Sequence, residues 1–167
     1  RCVGTSAHAF TLLHDDERTA FDSQIASLGV GTTILVDTYD IARGVQRAVD
    51  AAKAAGGTLG AVRLDSGDLV AEAFKVRAQL DSLGCPDTKI VVTYDLDEYA
   101  IAALGAAPVD IYGVGTKLVT GSGVPTAALV YKMVERENSA GEMEKVAKKS
   151  SGGKSSVGGR KTAGRVI

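Results

Sequence analysis

Arg63-Leu64-Asp65-Ser66-Gly67-Asp68 is the densest polar run in the chain. Arg63 and Asp65 stand two apart on a strand-like stretch, so both side chains reach the same side of it, while Gly67 lets a ligand approach the backbone. Asp37, Asp65 and Asp95 each close a short apolar run. Their hard oxygens suit Mg2+, which keeps several waters and binds through one or two carboxylates together with substrate phosphates. Gly113-Val114-Gly115-Thr116 follows a fourth apolar run, where backbone N–H groups can point at phosphate oxygens. His8 falls in the first turn of a helical stretch, whose positive end favours a neutral, nucleophilic imidazole and a phosphate carried on it. Each feature also has a plain structural explanation. Asp68 caps a helix and Arg63 pairs with Asp65; the strand-end aspartates are helix caps; the glycine turn holds nothing; the histidine is structural or exposed. His14, beside Asp15 and Asp16, has a weaker claim than His8.

The elements that must position these residues repeat. Residues 34–38 form an apolar run typical of a buried parallel strand, and Asp40 then stands where an N-cap belongs. Ile41, Val45, Ala48, Val49, Ala52 and Ala55 make one helical stripe, ended by Gly56-Gly57. Residues 59–64 and a stripe from Leu69 to Leu83 repeat the unit. Residues 89–93 begin a third, in which 95–98 resembles a capping box ahead of Leu96, Ala100, Ile101 and Leu104. Residues 109–112 predict a fourth strand and 127–134 a further one. Upstream, 6–13 and 17–28 predict two helices, the second with Phe21, Ile25 and Leu28 on one face. Strand and helix in alternation mean a parallel sheet covered by helices. Polar residues at four consecutive strand ends favour a barrel, which gathers all such ends around one mouth, over an open sheet. About five strands are too few to close a barrel of about eight. The expected fold is therefore α/β, a partial (β/α) barrel.

The 167 residues are 45% hydrophobic and 23% charged, with 19 basic against 20 acidic side chains. That is the composition of a globular domain and not of a disordered chain, and no apolar run is long enough for a membrane span. No signal peptide is visible, so a cytoplasmic protein is the expectation. Cys2 and Cys85 make neither a disulfide framework nor a metal knuckle. The chain starts abruptly beside a motif and without Met, which suggests a fragment. Composition shifts near Glu135, dividing a core-forming part, 1–134, from a basic Gly/Ser/Lys-rich segment, 135–167. That segment has no aromatic residue to stack on bases, so a solvated or partner-packed role is expected of it and no nucleic-acid partner.

Taken in order, Gly4-Thr5-Ser6-Ala7-His8-Ala9-Phe10, Leu35-Val36-Asp37-Thr38-Tyr39-Asp40, Val62-Arg63-Leu64-Asp65-Ser66-Gly67-Asp68, Asp95-Leu96-Asp97-Glu98, Tyr112-Gly113-Val114-Gly115-Thr116 and Val130-Tyr131-Lys132 resemble nicotinate phosphoribosyltransferase, over nearly the whole chain. The resemblance implies a barrel of the type II phosphoribosyltransferase kind. It also implies an activity: nicotinate and phosphoribosyl pyrophosphate become nicotinate mononucleotide and pyrophosphate, in NAD salvage, with coupled ATP hydrolysis. It makes His8 the histidine that ATP phosphorylates. It puts Arg63 and Asp65 in the pyridine and ribose pocket, with Thr5, Ser66 and Gly67 in the same substrate-binding motifs. Asp37 and Asp65 would face Mg2+, Asp95 the ribose, and Gly113, Gly115 and Thr116 the 5′-phosphate. Family members are commonly dimers, so a homodimer is expected of the full-length enzyme, and the isolated fragment is expected to be inactive. Tyr94 stands where the pattern has Ser, and the end of the chain departs from it. The competing readings are a quinolinate-type phosphoribosyltransferase, which needs no ATP, and a non-catalytic receiver-like α/β domain.

Overall fold

In the computed structural model, which describes residues 5–121, 123–150 and 154–165, four short strands form one parallel sheet in the order β1-β2-β3-β4. They are β1 (Thr33–Leu35), β2 (Ala61–Leu64), β3 (Lys89–Thr93) and β4 (Ile111–Gly113). Strands that follow one another in sequence are neighbours in space, with registers such as Ile34 to Val62 and Val92 to Tyr112. Ile34, Leu35, Val62, Leu64, Ile90 and Val92 are buried, the near-continuous apolar pattern of strands covered on both faces.

The helices are placed by their caps and stripes. Helix α1 (His8–Leu12) is a single short turn, followed by α2 (Glu17–Leu28), which is capped by Asp16 accepting from Thr19 N–H. Asp40 caps α3 (Ile41–Ala54) and Asp68 caps α4 (Leu69–Ser82). The α3 stripe Val45, Ala48, Val49 and Ala52 is buried against the sheet. Gly44 within it passes so close to Val36 that an added Cβ would lie 2.2 Å from the Val36 carbonyl oxygen. This close approach is a position only glycine fills. Helix α5 (Glu98–Ala103) runs into a 3-10 turn at Leu104–Ala106, and α6 (Thr116–Thr120) follows β4.

Several expectations are corrected. The third cap is Asp97, which accepts from Ala100 N–H, and not Asp95. Leu28 is 64% exposed, so only Phe21 and Ile25 of that stripe join the core. Residues 127–134 are not a strand: Leu129, Val130 and Tyr131 are exposed, and among the described residues no strand lies beside them to complete a ladder. Pairing resumes in an antiparallel hairpin, β5 (Glu135–Glu137) with β6 (Met143–Lys145). Among the described residues no helix is long and apolar enough to cross a membrane.

Residues 135–150 and 154–161 form a strap that crosses the strand ends. Lys149 N–H donates to the Thr38 carbonyl over 2.9 Å, and Ser156 N–H to the Lys148 carbonyl over 2.9 Å. Arg136 bridges Asp15, at 2.8 Å, and Glu144.

Candidate active site

The helices that follow β1, β2 and β3 are capped by other residues than the strand-end acids: Asp40, Asp68 and Asp97. Asp37, Asp65 and Asp95 are thereby free of the capping role, and two of them meet. Asp37 follows β1 and is fully buried; its Oδ2 accepts from the Ser66 hydroxyl and, at 3.1 Å, from the Asp65 N–H. Its Oδ1 is buried with no hydrogen-bond partner among the described residues. Asp65 follows β2. Its Oδ1 accepts from the Thr93 hydroxyl at 3.1 Å, and its Oδ2 lies 3.4 Å from His8 Nε2.

His8 is the first residue of α1, which has no side-chain cap, and this turn carries the imidazole between the two loops. Nε2 faces both carboxylates, Asp65 at 3.4 Å and Asp37 at 3.9 Å, while Nδ1 lies 3.1 Å from the Thr38 hydroxyl. Two carboxylates hold the proton on Nε2, and in that tautomer Nδ1 keeps its lone pair and accepts from Thr38. The arrangement leaves one nitrogen basic and directed, as a nucleophile must be.

Arg63 and Asp65 do share a cleft, of about 300 Å3, with His8, Tyr131, Lys132 and Lys148 on its walls. Arg63 does not pair with Asp65; it donates to the Thr5 hydroxyl at 3.1 Å, and its buried Nε–H has no hydrogen-bond partner among the described residues. Burial lowers the Arg63 pKa, against the opposing pull of Asp65 and Asp37. Ser66 is buried behind the cleft, where it holds Asp37, and Gly67 turns the chain at a φ of 80°.

Two lysines of the strap complete the cluster, and the sequence had not singled them out. Lys154 donates to the Asp65 carbonyl at 2.6 Å, approaches Asp65 Oδ1 at 3.4 Å, and sits 3.8 Å over the Tyr94 ring. The tyrosine in the place of the expected Ser thus carries a cation on its face. Lys148 is 2% exposed. Burial lowers its pKa, opposed by the attraction of Asp37 and Asp65. At Asp65 burial pushes the other way from the charges: it would raise the pKa, but the His8 hydrogen bond and then Lys154, Lys148 and Arg63 bring it down to about 2. The only sequence signal for these lysines was the excess of basic residues after Glu135.

Asp95 and the glycine turn make no hydrogen bond or ion pair with this cluster among the described residues. Asp95 is exposed, in a left-handed backbone conformation at a φ of 48°. Gly115 and Thr116 are exposed at the start of α6, which has no side-chain cap. Gly113 lies against Thr93, where a Cβ would meet the Thr93 methyl at 2.4 Å. Among the described residues no group of three or more His, Cys, Asp or Glu is placed to hold a metal. The unpartnered Asp37 Oδ1 and the adjacent Asp65 instead fit a hard cation held mainly by a substrate's phosphates.

No protein-family profile matches the chain. Known proteins do. A nicotinate phosphoribosyltransferase of Mycobacterium tuberculosis is 54% identical over 168 residues, 96% of this chain and 36% of the relative. One of Bacillus subtilis is 39% identical over 169 residues, 98% of this chain and 34% of the relative. Among solved structures, the nicotinate phosphoribosyltransferase of Porphyromonas gingivalis superposes with a TM-score of 0.75 at 22% identity, over 94% of this chain and 44% of that one, a likeness of fold. The chain spans about a third of the length of the two curated relatives.

Proposed function

We propose that this chain, a homologue of nicotinate phosphoribosyltransferases along nearly its whole length, supplies the reaction centre of an enzyme with that activity. Nicotinate would displace pyrophosphate from the ribose carbon of phosphoribosyl pyrophosphate, with ATP as co-substrate. The product would be nicotinate mononucleotide, for NAD biosynthesis. The observation that carries the reading is His8 held between Asp37 and Asp65, its other nitrogen basic, at the edge of a cleft that also presents Arg63 and Lys148.

Each residue then has a task. No protein group attacks the sugar, so catalysis is positioning and charge. Arg63, whose Nε–H has no hydrogen-bond partner among the described residues, is a donor available to a substrate anion, and with Asp65 it lines the pyridine and ribose pocket. Asp65, ionised far below neutral pH, balances positive charge growing on the ribose. Lys148 and Lys154 keep the two acids paired until the substrate's phosphates arrive. His8 accepts the phosphoryl group of ATP through Nδ1, with Thr38 turning aside and Asp65 retaining the Nε2 proton. Mg2+ would be held at Asp37 and Asp65, and bound there it neutralises the phosphates' charge. Thr5, Ser66 and Gly67 support this pocket, while Asp95 contacts the ribose and Gly113, Gly115 and Thr116 hold the 5′-phosphate.

The sequential parallel order of the four strands supports a sector of a (β/α) barrel, since an open doubly wound sheet reverses its order at a switch point. We divide the chain at 134/135, into the barrel sector and the strap. The complete enzyme would be a cytoplasmic homodimer without nucleic-acid or membrane partners. β1 and β4 are open edges, so the chain alone should form no product. The test is product formation by the full-length enzyme. Nicotinate mononucleotide and ADP should appear together from nicotinate, phosphoribosyl pyrophosphate and ATP. Transfer from quinolinate without ATP use, or no binding of phosphoribosyl pyrophosphate at all, would replace this reading by the quinolinate-type enzyme or the receiver-like domain.

A further inference from the structure

Among the described residues of the strap, Arg136 and Lys148 are the buried cations, and the contacts of Arg136 lie away from the cleft. The side chain is 8% exposed, with NH1 2.8 Å from Asp15 and NH2 on Glu144 of the neighbouring strand. Asp15 receives a second bond, from the Ser139 hydroxyl at 3.1 Å, so the hairpin of β5 and β6 grips one carboxylate from two sides. Asp15 ends the turn that follows α1, and α1 begins with His8. The clamp and the imidazole are therefore two ends of one short rigid piece. Its rigidity has a local cause: His14 Nδ1 lies 2.9 Å from the Phe10 carbonyl, and the two rings are 4.8 Å apart.

From the clamp the strap runs on to the site through bonds that fix its course. Val146 N–H and Gly159 N–H both donate to the Val134 carbonyl, at 3.0 and 2.8 Å, so its outgoing and returning arms are tied beside Arg136. Between them lie Lys148 and Lys154.

We propose that Arg136 is a positioning residue: its ion pair with Asp15 registers the strap on the helix that carries His8, and so keeps Lys148 and Lys154 at the Asp37 and Asp65 carboxylates. The Arg136 hydrogen bond is also the first of the influences that lower the Asp15 pKa, which keeps the pair charged through the neutral range. A buried guanidinium that holds two carboxylates resists small displacements, as a lysine on its flexible stem would not. The proposal deepens the function given above, and its activity arm rests on it; its labelling arm does not.

The experiment uses the full-length enzyme with Arg136→Met and, as a variant altered at an exposed side chain, Asp15→Asn. Lysine acetylation rates are read by mass spectrometry. Lys148 and Lys154 should react about tenfold faster or more in both variants, with Lys75 unchanged, since local opening frees only the strap. Unchanged rates in both variants overturn the proposal, whatever the enzyme's reaction. Should Arg136→Met unfold, every lysine will react and Asp15→Asn alone decides. In the activity arm, Arg136→Met should lower kcat/KM for phosphoribosyl pyrophosphate by about 10- to 100-fold, the cost of a displaced group. Combined with Lys148→Ala and Lys154→Ala it should cost little beyond those two changes, because Arg136 acts through their amines. Losses that multiply in the combined variant would make Arg136 merely structural and overturn the assignment. A native full-length enzyme that forms no nicotinate mononucleotide would sink the proposed function and leave the labelling result standing.

Discussion

The rim formed by the strand ends is finished at one side and bare at the other. Beyond β1 and β2, Asp37 and Ser66 are fully buried, His8 is set between two acids, and two lysines of the strap close the charge balance. Beyond β3 and β4, Asp95, Gly115 and Thr116 are exposed, and α6 presents Leu118 and Val119 at 78% and 85% exposure. Both sides share one parallel sheet, though β4 at its far edge is exposed to half-buried. α1 and the strap cover the first side, and on the other side the strap reaches Tyr94 through Lys154. Strand ends bring acidic residues to a rim, but a reactive cluster needs a second layer to desolvate it and fix its protons.

The contrast can be broken by substitution in the full-length enzyme. The largest effect should come from His8→Ala, which removes the phosphoryl acceptor: coupling of ATP hydrolysis to transfer should be lost completely, with some uncoupled nicotinate mononucleotide still formed. Coupling that survives in a steady-state ADP assay would remove His8 from the account. Next, Asp65→Asn should lower kcat/KM by about 10²–10³-fold, the usual scale for losing a preorganised electrostatic partner. Asp95→Asn, in open solvent, should cost under about tenfold, because water screens its charge. Equal losses at the two positions would erase the distinction between the two sides.

A stability effect follows from the Asp65 titration. Its folded pKa of about 2 lies below the ordinary 3.8, so its contribution is present above the ordinary value and is lost as pH falls from about 4 towards 2. That contribution is about 2 kcal/mol at most. Thermal unfolding followed across this window should show Asp65→Asn losing less stability on acidification than the native chain, and parallel curves would count against the His8 and lysine contacts. The smallest effect separates cap from rim on the bare side. Asp97→Ala should cost about 1 kcal/mol through the lost bond to Ala100 N–H, and Asp95→Ala under about 0.5 kcal/mol. Chemical denaturation of both variants checks this.

The parallel strands and α2, α3 and α4 were legible in the sequence because their signals are local: apolar runs, helical stripes, and Asp40 and Asp68 one step ahead of them. Cap placement failed at Asp95 because Asp97 is an equally good cap two residues later and only the backbone turn chooses between them. Residues 127–134 have the apolar content of a strand, but a strand exists only where another lies beside it. The acids and His8 could be singled out from residue type and position. Lys148 and Lys154 could not, since they sit among Ser and Gly with no periodicity, and their place is set by a distant ion pair between Arg136 and Asp15.

The account depends on His8 as the group that takes phosphate beside Asp37 and Asp65. Incubation of the full-length enzyme with ATP, followed by peptide mapping under conditions that preserve phosphohistidine, tests it most directly. The account predicts one phosphoryl group on the peptide containing His8, at Nδ1, absent from His8→Ala and discharged when nicotinate and phosphoribosyl pyrophosphate are added. Phosphate on an aspartate or on another histidine, or nicotinate-dependent ATP hydrolysis with His8 unmodified throughout, would contradict it.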